Sequence, residues 1–507
     1  MLLPLSKLTQ LTHLHIDCVP VACATLACIL SSLSALRSLR MQVGRSTDTQ
    51  KDAEMLSAAL ANGSAASGLC DLSICGMFVD FASKVSQAWL KAKAQLSARF
   101  IVPCLLGRQH LTRLALSKVN AHDVPCVVEH LQCMHGLQDM SLEWQYDHAA
   151  QRGLNWDMLI SLVSSERVLQ CCTKLSLDTK ACCVEGSQVG VFWHQIACMS
   201  HLQHLEVPTA FSHGAGAQDH NQQRMARAQP SGIRTLTHLS MGCMTADLEG
   251  FVVPTLPTST LKSFTASFEN LSQRGMESLE EGLQSLSALQ TLNISVTATH
   301  FHDFNPLDVL RAIVRQREPL CELRELKFSF TDLRRFHREL TEAGFSQLRD
   351  FPHLEHLDLH DCIDMDAMQE GMRAEALGWM CMQLTRLLHL SVPFASTWET
   401  GSDCFSPFCM SLQGMKSLRC LVLSGPEGVR QECLPILAGQ LHAVLNLRTL
   451  VIERTAFERG RRRVVPEEEV EGMFSDPQCV QPLLAVLRSL PRFVCLRVNG
   501  GFVDVLQ

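Results

Sequence analysis

The chain has 507 residues, a formal net charge of −7, and is 46% hydrophobic and 19% charged. That balance excludes a disordered chain and leaves no strong basic excess for broad capture of nucleic acid or an anionic membrane. Aromatic residues are sparse, with a single tyrosine, Tyr146, so there is little on which to stack bases.

A six-residue phrase, Leu-x-x-Leu-x-apolar, recurs from one end to the other. It starts at Leu11, Leu36, Leu69, Leu111, Leu137, Cys172, Leu202 and Leu236, and then at Leu261, Leu289, Leu323, Leu354, Leu387, Leu418, Leu447 and Phe493. That makes about sixteen copies at a mean spacing of about 32 residues. Each phrase predicts a short strand whose leucines share one core. Between phrases, apolar residues recur at helical spacing over Val21 to Leu33, Pro125 to Leu131, Met276 to Leu286 and Leu434 to Leu445. Three spacings are long. Residues 77–109 insert a helix-like stretch, 209–234 read as a surface loop, and 453–479 carry Arg459 and Arg461 to Arg463 followed by Glu467 to Glu469. That last charge run predicts a solvated loop or an acidic helix start. No polar cap is visible at either end, which fits a piece of a longer protein or a loosely predicted gene product.

These phrases make the sequence resemble the ribonuclease-inhibitor class of leucine-rich repeat proteins. The resemblance implies an α/β solenoid over residues 1–507, a horseshoe with parallel strands on the concave face and helices on the convex face. The Asn or Cys that this class places three residues after the last strand leucine is mostly missing, with Cys362 the clear exception. Irregular repeats are therefore expected.

Side chains alternate along a strand, so the third and fifth positions of each phrase should face away from the leucine core. The third-position column runs His13, Ser38, Asp71, Arg113, Asp139, Lys174, His204, His238, Ser263, Thr291, Glu325, His356, His389, Cys420, Thr449, Cys495. The fifth column includes His15, Arg40, Glu206, Asn293, Lys327, Asp358 and Arg497. Asp71, Arg113, Asp139 and Lys174 alternate in sign on successive strands, which favours lateral pairing. Histidine fills five of the sixteen third positions. Duplication of a Leu-x-His-Leu phrase accounts for that. The sharper alternative is a metal or proton-sensing cluster of His204, His238 and Glu206, or of His356, His389 and Asp358. Cys171-Cys172 and Cys182-Cys183 flank a strand and lack the Cys-x-x-Cys spacing of structural zinc sites.

The 23 cysteines are odd in number, and many stand at repeat positions expected to be buried; with no secretory signal visible, they point to a reducing interior. An intracellular, cytoplasmic location follows, compatible with cytoskeletal or ciliary association. Phosphate-loop, nucleophile-elbow, kinase and zincin signatures are missing, so neither an enzyme nor a cofactor is expected. The function expected is a protein-interaction scaffold taking a partner protein, with no nucleic acid and no membrane. Its contact set is Arg113, Lys174, His204, His238, Glu325, His356, Asp358 and His389. The resemblance also implies two rival roles, the substrate-recognition part of an F-box-type ubiquitin ligase and the sensor part of a nucleotide-binding receptor. A metal-dependent enzyme with a histidine-lined groove is the rival of another class.

Overall fold

The computed structural model describes residues 6–21, 23–43, 55, 58–59, 68–75, 111–120, 124–131, 134, 136–145, 156–164, 166–178, 183–184, 186–207, 212–213, 235–245, 259–269, 273–297, 313, 315, 320–331, 348, 351–361, 383–393, 405–425, 429, 433–458, 461–464, 477–498 and 501–503. The chain divides into two compact units, Met1–Met244 and Thr245–Gln507.

Each phrase forms a strand beginning at its third position. In the first unit these are β1 (His13–Val21), β2 (Ser38–Val43), β3 (Asp71–Cys75), β4 (Arg113–Asn120), β5 (Asp139–Gln145), β6 (Lys174–Asp178), β7 (His204–Val207) and β8 (His238–Thr245), the last reaching the unit boundary. They pair in chain order, all parallel. The second unit repeats the plan with β9 (Ser263–Glu269), β10 (Thr291–Thr297), β11 (Glu325–Thr331), β12 (His356–Asp361), β13 (His389–Pro393), β14 (Cys420–Gly425), β15 (Thr449–Glu458) and β16 (Cys495–Val498). These too pair in chain order and in parallel.

The register follows from the phrase. Fourth-position side chains such as Leu39, Leu292 and Leu450 are fully buried, and so are first-position ones such as Leu36, Leu289 and Leu447. Each such leucine contributes about 2 kcal/mol of burial, and a slip of one residue would turn the whole set out of the core. The turn entering each strand also repeats. The second-position carbonyl accepts two backbone N–H groups from the next phrase, as Thr12 does from Arg37 and Ser38, and Arg419 from Arg448 and Thr449. A carbonyl oxygen has two lone pairs, so one group satisfies both incoming donors.

A further apolar residue, three places before the first leucine, is part of the repeat. Leu33, Met199, Leu286, Leu320, Phe351, Met415 and Val444 are all buried, and the carbonyl of each accepts the N–H of the first-position leucine.

The helices expected from periodicity are present at Cys23–Ser32, Val124–Leu131, Gln273–Gln284 and Leu434–Leu441. In the last of these Pro435 occupies the first turn, where its missing N–H costs nothing, and Leu434, Leu437, Ala438 and Leu441 form the buried stripe. Irregularity also appears. The register shifts between Ile16 and Val21, between Leu116 and Val119, and between Lys327 and Ser329, each time after the phrase itself has ended or is ending.

Of the 453–479 region, residues 453–458, 461–464 and 477–479 are described, and Arg459 and Glu467 to Glu469 lie outside them. β15 runs on to Glu458 and pairs antiparallel with Arg461–Val464, Phe457 opposite Arg462. The expected insertion at 77–109 lies outside the described residues, as do Cys182, Cys362 and, apart from Ser212–His213, the 209–234 loop.

Candidate functional site

The third-position side chains form one column across each unit. In the first unit His13, Ser38, Asp71, Arg113, Asp139, Lys174, His204 and His238 are register partners in succession. In the second, Ser263, Thr291, Glu325, His356, His389, Cys420, Thr449 and Cys495 are. None of the sixteen is buried. At strand spacing of about 4.8 Å, side chains in such a column touch their lateral neighbours.

The structure brings Lys174, His204 and His238 together on consecutive strands β6, β7 and β8. The rings of His204 and His238 stack with centroids 4.0 Å apart and planes 11° from parallel. Burial pushes the His204 imidazole below its ordinary range, the Lys174 charge adds to that, and Asp139 opposes it. The Nδ1 of His238 shares a 2.8 Å hydrogen bond with the hydroxyl of Thr237, and His13 repeats that arrangement with Thr12 at 2.9 Å.

Arg113 sits two strands from Lys174 and is held by carboxylates on both sides. Its Nε lies 2.8 Å from Asp139 Oδ2 and its Nη1 3.5 Å from Asp71 Oδ2. Ser38 donates to Asp71 at 3.2 Å, which extends the chain of contacts across β2 to β5. The alternating charges thus pair laterally through Arg113. The fifth positions beside this rail are small, with Ser73, Ala115, Ser141 and Ser176 in register; Ser176 donates to Glu206 at 3.0 Å.

In the second unit Glu325, His356 and His389 stand on consecutive strands β11, β12 and β13. His356 and His389 stack more loosely, at 5.6 Å and 11°. Thr291 donates to Glu325 at 3.4 Å, and Lys327 Nζ lies 3.4 Å from Asp358 Oδ2. The fifth positions are less uniform than alternation implies. Ser391 and Val451 are only 3% and 8% exposed, whereas the Asp358 side chain keeps 20%.

Coordination by a stacked pair is geometrically poor. A ring nitrogen's lone pair lies in the ring plane, and two nearly parallel planes do not converge on one ion. Among the described residues, no three His, Cys, Asp or Glu side chains gather in a way that could hold a metal ion. Cys172 occupies a first position in the core; burial pushes its thiol up to about 12, and it donates to the Lys174 carbonyl at 3.1 Å. It acts there as a small hydrophobe. The eleven cysteines whose side chains are described form no disulfide; Cys28, Cys198 and Cys321 are exposed and Cys172, Cys409 and Cys433 buried. Among the described residues no helix is long and apolar enough to cross a membrane.

Ser176, Glu206, Thr291 and Lys327 complete the polar network and were not in the contact set read from the sequence. Their signal was their place at third or fifth positions, Lys327 beside an opposite charge and the two hydroxyls beside a carboxylate.

No family model matches the chain, and no curated protein matches it. Among solved structures, the crystal structure of the Rad7 and Elc1 complex in yeast aligns with 72% of this chain and 83% of that chain, at 14% sequence identity and a TM-score of 0.35. A likeness at that level says nothing of this chain's partners.

Proposed function

We propose that this protein is a non-enzymatic interaction scaffold of the leucine-rich repeat type, a horseshoe whose strands line the concave side. It takes a partner protein on the exposed sheet face, within a reducing cell interior. The contact set is Arg113, Lys174, His204 and His238 in the first unit, and Glu325, His356, Asp358 and His389 in the second. What supports this reading is the third-position column: eight side chains per unit, held in register and none buried, over a core that fixes their spacing. A preformed array of this kind lowers the ordering cost of binding. Chemistry enters only by absence of a motif, and no reaction is proposed.

The test is capture of a partner from native lysate, its purification, and titration against the full chain and a variant carrying Arg113→Glu and Lys174→Glu. The reading expects a partner whose affinity falls by about tenfold or more in the variant. A partner bound equally by both would remove these residues from the contact set.

A further inference from the structure

The turn edge of the second unit carries a charge pattern that the sheet face does not explain. Just before β13 to β16 stand Arg386, Lys416, Arg419, Arg448 and Arg492, all exposed. Residues 383–389, 412–420, 441–449 and 489–495 contain no aspartate or glutamate. Among the described residues, none of the five is within ion-pair distance of a carboxylate. The row is built into the repeat. Arg419 and Arg448 hold the same second position on neighbouring strands, and the Arg448 N–H donates to the Arg419 carbonyl at 2.7 Å. Arg492 donates to Asn446 Oδ1 at 2.7 Å, and Asn446 Nδ2 donates to the Lys416 carbonyl at 2.7 Å, so one asparagine ties three turns together.

The same edge of the first unit carries one second-position arginine, Arg37, whose Nη1 donates to the Gly68 carbonyl at 3.1 Å. There Thr112, Thr173 and Thr237 occupy second positions, and each hydroxyl donates to the preceding turn's carbonyl. The repeat therefore does not require charge at this place. In a chain of net charge −7, five cations within four turns, without an ion pair among the described residues, form a local positive field.

Apolar side chains interrupt the row. Val494 is 76% exposed and Leu445 58%. Val494 donates its N–H to the Arg448 carbonyl at 2.8 Å, so it stands beside that arginine at the matching position. A nucleic acid or an anionic membrane offers this edge its phosphates but no match for the interleaved valine and leucine. No exposed tryptophan, tyrosine or phenylalanine stands among the described residues of these turns to stack a base, and the negative charge of the chain as a whole repels a long polyanion. A short peptide meets both features, because guanidinium forks pair with carboxylates and its apolar side chains cover Val494 and Leu445.

We propose that this edge is a second docking surface, which takes a short acidic peptide segment with apolar side chains between its carboxylates. It is separate from the sheet face and does not depend on it.

The test uses the full chain and fluorescence anisotropy with a labelled peptide of alternating glutamate and leucine. An oligothymidine of equal charge and vesicles containing phosphatidylserine serve as competing probes. The peptide is expected to bind, to weaken with salt, and to lose about tenfold in affinity with Arg419→Glu and Arg448→Glu together. Val494→Ser should cost about threefold. Lys7→Glu, at an exposed lysine of the first unit outside both proposed surfaces, should change nothing. If the double reversal does not fold by circular dichroism, Arg419→Gln with Arg448→Gln replaces it and should still weaken the peptide severalfold. No peptide binding, binding indifferent to these arginines, or tighter binding of the oligonucleotide or vesicles would overturn the proposal.

Discussion

His204 and His238 stack face to face, centroids 4.0 Å apart, on the paired strands β7 and β8. The contact suits neutral imidazoles, and burial together with Lys174 already biases His204 toward the neutral form. The folded value is depressed below the ordinary 6.5, so the unfolded chain binds the proton more readily. The stability from this group is present above pH 6.5 and is lost as pH falls through the window beneath it. Lys174→Ala should move the His204 titration upward, and Asp139→Asn should move it further down. Proton NMR of the imidazole resonances reads both shifts; a titration identical in all three proteins would contradict the assignment.

The Arg113–Asp139 pair is short but lies at the surface, with the arginine side chain 58% exposed. Solvent screening keeps such pairs weak. A double-mutant cycle with Arg113→Ala and Asp139→Ala, followed by urea denaturation, should give a coupling below about 1 kcal/mol that shrinks at high salt. A coupling of several kcal/mol would mean that the rail holds the sheet together as well as presenting charge.

Leu292 is fully buried on β10, which is paired on both sides, whereas Leu11, two residues before β1, is partly exposed. Leu292→Ala removes a core side chain and leaves a cavity, at a cost of about 3 kcal/mol. Leu11→Ala should cost clearly less. Chemical denaturation of the two variants checks the order, and equal losses would argue against the shared-core reading of the phrase.

Burial pushes the Cys172 thiol up to about 12, and raises Cys409 as well, with Cys433 adding to it. Neither should be alkylated by iodoacetamide at neutral pH in the folded protein, because the thiolate is the reactive form. Exposed Cys28, Cys198 and Cys321 should be modified first. Mass spectrometry of the labelled protein reads the order, and early modification of Cys172 would place it outside the core.

Much of this was legible in the phrase itself. First, fourth and sixth positions such as Leu36, Leu39 and Ile294 can be separated from third positions such as Lys174, because strand alternation leaves a period of two. The helix at Leu434–Leu441 was legible for the same reason at a period near 3.6. The apolar residue three places earlier was not distinguished. Met199 and Val444 continue a spacing of three that ordinary helix ends also show, and only the hydrogen bond to the next leucine sets them apart. The hairpin of β15 with Arg461–Val464 was hidden because three successive arginines carry no hydrophobic period, while backbone pairing needs none. Burial of Ser391 and Val451 depends on what lies over the face, and local periodicity does not carry that information.

The central claim is that the exposed column of the sheet is a binding surface. Its most direct test is isothermal titration of a captured and purified partner against the full chain and against the Arg113→Glu, Lys174→Glu variant, with folding of both verified by circular dichroism. The account predicts that the variant loses affinity by about tenfold or more at unchanged fold. Equal affinity in the two proteins would contradict it.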